Sequence, residues 1–188
     1  MEYVRDLDGD SRPEAIVLDF TGGAHCCFEY HVFTSDANDI HELDAFNLGN
    51  GAIQRIEDLD GNGIAEIVAY DDRLALVDGI AMAATPFLPP VLCLQQDKTF
   101  PDCTTRFPAL VAESTAHYEE LMASPDKQTR QAATVGVYAH HARLGRPQNG
   151  LYRIASRCLE CLQFVEQHRA KIDERLRAEH PAHLTASP

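Results

Sequence analysis

The chain has 188 residues, room for one ordinary domain or two small ones, and at 45% hydrophobic and 24% charged it has the make-up of a folded protein rather than a disordered one. Sixteen Lys and Arg against twenty-nine Asp and Glu leave a formal charge of −13, which argues against a nucleic-acid or anionic-membrane surface and favours cations as partners. The most apolar window, Ile80 to Leu94, is interrupted by Pro86, Pro89 and Pro90, so no membrane span is expected.

Tyr3 to Arg5 reads as a short strand that enters Asp6-Leu7-Asp8-Gly9-Asp10-Ser11-Arg12-Pro13-Glu14. The same pattern returns fifty-two residues later as Asp58-Leu59-Asp60-Gly61-Asn62-Gly63-Ile64-Ala65-Glu66. Oxygen side chains at loop positions 1, 3, 5 and 9, with Gly at position 4 where the backbone turns sharply, suit a hard cation that takes six to eight oxygens. In this reading Asp6, Asp8, Asp10 and Glu14 offer side-chain oxygens and Arg12 its carbonyl. Asp58, Asp60, Asn62 and Glu66, with the Ile64 carbonyl, do the same in the second copy. An EF-hand needs a bidentate Glu at position 12 and flanking helices. Here position 12 is Val17 or Ala69, and each loop runs into a β-branched, apolar stretch that reads as a buried strand. The bland alternative is a pair of acidic turns held by side-chain to backbone bonds.

These two stretches resemble the FG-GAP/VCBS repeat family, the calcium-loop blades of integrin-type β-propellers and of many exported bacterial proteins. The residues that carry the likeness are D-L-D-G-D-S-R-P-E-A-I-V and D-L-D-G-N-G-I-A-E-I-V, with Ser11 where the family usually has Gly and Asn62 where it has Asp or Asn. The run T-G-G-A-H-C-C at residues 21–27 is similar to a run in exported bacterial proteins. The resemblance spans residues 1–80 and implies two Ca2+ sites and an extracytoplasmic location, periplasmic or secreted. It implies no activity. Met1 to Arg5 enters the repeat with no signal peptide ahead of it, as expected of a processed chain.

Further along, the first copy continues as strands at 15–20 and 27–33 about a Gly22-Gly23 turn, then a weak strand at 40–43. The second copy has strands at 53–56, 66–70 and 74–77. A full propeller of this period does not fit the chain, so the repeats must cover their apolar faces another way, and the second half is the expected cover. Residues 81–108 read as a Pro-rich connector, stapled by a Cys93–Cys103 disulfide. From Ala109 to residue 180 three helices are expected. The first has its stripe at Leu110, Val111, Ser114, Tyr118, Leu121 and Met122. The second is capped by Ser124 with Pro125 at its first position and ends at Gly145. The third runs from Gly150 through Leu151, Ile154, Cys158, Leu162, Val165, Ile172 and Leu176. Residues 181–188 read as a frayed tail.

Four constellations lie outside the loops. His25-Cys26-Cys27 and Cys158-Leu159-Glu160-Cys161 together suggest a thiol-redox or soft-metal (zinc or copper) centre, or else disulfides that pin helix to sheet. The C-x-x-C falls inside the third expected helix, without the βαβ context of a redox motif. His140-His141 reads as a solvated pair, and Glu113 with His117 as a local helix pair. No hydrolase, P-loop or dinucleotide fingerprint occurs, so no catalytic residue is named. The sequence therefore reads as α+β: two blade-like antiparallel β repeats with calcium loops, followed by three helices. Its expected function is that of a non-enzymatic calcium-binding module that presents a surface to a protein or glycan.

Overall fold

A computed structural model describes residues 3–20, 22, 28–36, 39–75, 77, 79–178 and 182–183. The expected frayed tail lies outside them apart from residues 182 and 183. The chain forms an antiparallel β half and a helical half, so the α+β reading holds at that level. It divides into two compact units: Met1–Asp71 with Pro90–Cys103 and Glu179–Pro188, and Asp72–Pro89 with Thr104–Ala178. The expected breaks at 80 and 108 differ from this division. The 81–108 stretch is shared between the units, because its middle adds a strand to the β unit.

In the β unit, β1 (Tyr3–Arg5), β2 (Glu14–Phe20), β3 (Phe28–Ser35), β4 (Ile40–Asn47) and the two-residue β8 (Ala182–His183) form one antiparallel sheet in that order. A second sheet is made of β5 (Ile53–Glu57), β6 (Glu66–Ala69) and β7 (Val91–Leu92). Register puts Ile16 opposite Val32 and Leu18 opposite Tyr30. Glu14 and Ile16 are buried, two residues apart on the inward face, as the strand period requires. The expectation that the helices cover the blades is corrected in this unit. Leu7, Ile16, Tyr30, Val32 and Phe46 of the first repeat form one core with Ile53, Ile56, Ile67 and Ala69 of the second, closed by Leu92 and Phe100. Each repeat supplies the apolar face the other needs. The Cys93–Cys103 disulfide forms as expected and ties the end of β7 to the segment beyond it. The strand expected at 74–77 is not found among the described residues: Arg73–Ala75 is a turn.

The helical unit has four helices rather than three: α1 (Pro108–Leu121), α2 (Lys127–Arg143), α3 (Pro147–Ala155) and α4 (Leu159–Arg177). The expected third helix is broken at Ser156–Cys158. The central helix is α2, buried without interruption from Ala132 to His140. Its cap is Asp126, not Ser124: the carboxylate accepts the Thr129 N–H at 2.7 Å, two residues later than expected. Gly136 lets Tyr118 lie against the helix, since a Cβ there would sit 2.8 Å from the ring. Tyr138 is wholly buried, with its hydroxyl donating to Asp173 at 2.7 Å and accepting from Arg169 Nε at 3.0 Å. No described helix is long and apolar enough to cross a membrane.

Candidate functional site

The two acidic loops fold by the same local chemistry. In the first, Asp6 accepts from the Gly9 N–H at 2.7 Å through Oδ1 and from the Ser11 N–H at 2.8 Å through Oδ2. In the second, Asp58 accepts from Gly61 at 2.8 Å and from Gly63 at 2.9 Å through the same two atoms. The residue at position 5 also repeats its role: Asp10 accepts from the Arg12 N–H and Asn62 from the Ile64 N–H. Position 9 closes each loop, Glu14 accepting from the Leu7 N–H and Glu66 from the Leu59 N–H, both at 2.8 Å. These last two carboxylates are buried, and Glu14 also accepts from the Thr34 hydroxyl at 2.9 Å.

The result is a convergence of three carboxylates per loop. One oxygen each of Asp6, Asp8 and Glu14 lies within 4.8 Å of the others, and Asp58, Asp60 and Glu66 repeat the arrangement. Every carboxylate oxygen has a second lone pair, so an N–H bond to one of them leaves an acceptor for a cation. Asp10 stands outside its triad. Its carboxylate is paired with the Arg12 guanidinium, which holds its pKa below the ordinary value and raises that of Arg12. Asn62, Arg12 and Ile64 lie on the exposed rim of their loops, or near it, and take part through the backbone bonds just given.

What the sequence did not reveal is that the loops abut. The Ala65 N–H donates to the Leu7 carbonyl at 3.0 Å, and a Cβ on Gly9 would lie 2.7 Å from the Gly63 carbonyl oxygen. Seven carboxylates, Asp6, Asp8, Asp10, Glu14, Asp58, Asp60 and Glu66, are thereby drawn into one corner of the β unit. Lys98 enters the same corner, with Nζ 2.9 Å from Asp8 Oδ2, and helps to line an open hollow of about 320 Å³ with Asp8, Gly9, Asp10 and Ile64. Ninety residues separate Lys98 from Asp8, so no local signal could have found the contact.

Three further groupings were weighed on the sequence or missed there. On the outer face of the first sheet, Asp19, Glu29 and His31 bring ligand atoms within 4.8 Å, and Glu42 Oε1 lies 2.7 Å from His31 Nδ1. Strand register is the signal that assembles them, with Asp19 directly opposite Glu29. His140-His141 is not a solvated pair. His140 is buried, Nδ1 donating to the Gly136 carbonyl at 2.6 Å and Nε2 facing the Ser114 hydroxyl at 2.9 Å. Burial pushes the His141 pKa down, and His141 lines a hollow with Glu119, Arg146 and Arg153. His25, Cys26 and Cys27 lie outside the described residues. Cys158 and Cys161 are bonded to each other, which removes the expected links from that helix to the sheet.

No protein-family model matches the chain, and no solved structure matches it. Over 86 residues, 44% of its length, it is 38% identical to a protein of Synechocystis sp. described as a probable thylakoid lumen protein. The chain covers 25% of that relative's length.

Proposed function

We propose that the β unit is a calcium-binding module of an exported bacterial protein, non-enzymatic, in which two Ca2+ ions set the shape of a surface that a protein or glycan partner takes. The observation that carries this reading is the duplicated convergence of three carboxylates, Asp6/Asp8/Glu14 and Asp58/Asp60/Glu66, in loops that touch. Glu14 and Glu66 anchor each site from the strand side, and the exposed positions supply the rest of an oxygen shell. Without a cation the clustered charges repel, so binding and folding are linked. An extracytoplasmic location fits the two disulfides among the described residues and the lumenal description of the Synechocystis relative.

The deciding experiment is calorimetric titration of calcium into chelator-treated protein, with the melting temperature followed alongside. Two sites and a higher Tm are expected, with Asp8→Ala and Asp60→Ala each removing one site. An absence of both heat and shift would reduce the loops to ordinary turns. Lys98 competes for Asp8, and an exposed ion pair is worth roughly 0.2–1 kcal/mol. Lys98→Met should therefore tighten the first site by about 1.4- to fivefold and leave the second unchanged.

A further inference from the structure

The helical unit carries a feature that calcium binding does not use. The break at Ser156–Cys158 places Cys158 at the N-cap of α4, in extended backbone with φ −155° and ψ 101°. Its sulfur accepts the Cys161 N–H at 3.1 Å and is bonded to the Cys161 sulfur. The two residues differ in burial: Cys161 is buried, Cys158 is partly buried against the helical core, and Leu159 between them is 67% exposed. A hollow lined by Lys127, Arg130, Gln131, Glu160 and Phe164 is also lined by Cys161.

We propose that Cys158–Cys161 is an exchangeable disulfide that oxidises a dithiol on a partner polypeptide, a function independent of the calcium loops. Three physical points carry it. A bridge between residues three apart, within one turn of chain, ties no distant elements together and closes a shorter loop than the ten-residue Cys93–Cys103 bridge, so structural stapling accounts for it less well. When the bridge opens, the N–H that faces Cys158 and the N-terminal end of a 19-residue helix both favour a thiolate at that sulfur. Stabilising the reduced form in this way makes the disulfide the more oxidising partner. Glu160 is the acidic side chain in the first turn and works against this, and the Arg157 guanidinium is already held by Glu119 at 2.9 Å. The thiolate therefore relies on the backbone rather than on a neighbouring cation.

The exchange proceeds in two displacements. A partner thiolate attacks the sulfur of Cys158, the less buried of the two residues, a partner–Cys158 bond forms, and the Cys158–Cys161 bond breaks with its electron pair leaving on Cys161. The second partner thiolate then attacks the partner's own sulfur in that mixed disulfide and releases Cys158 as thiolate. The partner loses two electrons and gains a disulfide. Cys158 and Cys161 gain the two electrons, and the two protons shed by the partner go to Cys161 and to solvent or Cys158.

The test is stepwise reduction of the full chain with dithiothreitol, trapping by alkylation and mapping of peptides, while circular dichroism reports folding. The proposal expects Cys158–Cys161 to open at a dithiothreitol concentration at least a hundredfold below that needed for Cys93–Cys103, with the fold retained. It also expects Cys158 of the reduced protein to alkylate at neutral pH at least tenfold faster than Cys161. Opening of the two bridges together, opening only on unfolding, or equal alkylation rates would each overturn it. In a second arm, Cys161→Ser should form a mixed disulfide with glutathione disulfide through Cys158, and Cys158→Ser should form it at least tenfold more slowly. Failure of calcium to bind would leave all of these outcomes unchanged.

Discussion

Ser11 holds a φ of +70°, a left-handed conformation in which Gly63 sits at the same point of the second loop with φ +87°. The first loop accepts the strain because the Ser11 N–H must reach Asp6 Oδ2, as the Gly63 N–H reaches Asp58. A side chain in that region costs about 1–2 kcal/mol. Ser11→Gly should therefore raise stability by about 1 kcal/mol, less than the full figure because glycine also gains freedom in the unfolded chain. Chemical denaturation of the two proteins would decide it, and an unchanged midpoint would mean that the turn is relaxed as it stands. At this scale the sequence was highly legible: the spacing of Asp, Gly and Glu anticipated the convergence of Asp6, Asp8 and Glu14. It did not anticipate that Asp10 turns to Arg12, because a guanidinium two residues away offers a closer partner than the loop centre.

At the scale of elements, the helices show what periodicity can and cannot resolve. The stripe Leu151, Ile154, Cys158, Leu162, Val165 keeps its phase through Ser156–Cys158, because the chain there makes one further turn, with the Cys158 N–H on the Ile154 carbonyl and the Leu162 N–H on the Cys158 carbonyl. No Gly or Pro marks the break, so two helices read as one and the C-x-x-C was placed inside a helix instead of at its start. Helix α2 shows the opposite case. Its small residues Ala132, Gly136 and Ala139 admit a close neighbour, and that neighbour is the Tyr118 ring over Gly136. Gly136→Ala should gain helix propensity yet lose stability overall by about 1–3 kcal/mol, since the added methyl meets an aromatic ring with little room to give. A rise in Tm would show that Tyr118 moves aside. His140 belongs here too. Adjacent histidines on a helix look alike in sequence, and only the packing of α1 against α2, with Ser114 facing His140, separates the buried one from its neighbour.

For the molecule as a whole, calcium bound at the loops should concentrate added stability in the β unit. Ligand that binds only the folded loops suppresses their opening by 1 + [L]/Kd, about a hundredfold at a concentration near 100 Kd. Amides of Gly9, Ser11 and Arg12 and of Gly61, Gly63 and Ile64 should then exchange about a hundredfold more slowly on adding calcium, while the Cys161 and Leu162 amides of the helical unit keep their rates. Uniform slowing across both units, or none in the loops, would contradict local linkage. The sequence by itself determined what depends on neighbours along the chain: the duplicated loops with their Asx-type bonds, the antiparallel strands that follow them, the start of α1 and the end of α2, and the Cys93–Cys103 bridge. Tertiary structure alone decided what depends on contacts between distant residues. It set the Gly9 backbone against the Gly63 carbonyl, brought Lys98 to Asp8, made each repeat the cover of the other, buried His140 and put Cys158 at a helix start. The physical reason is the same in every case: hydrogen bonds inside a turn are specified by spacing, whereas burial and charge pairing are properties of surfaces that exist only once the chain has packed.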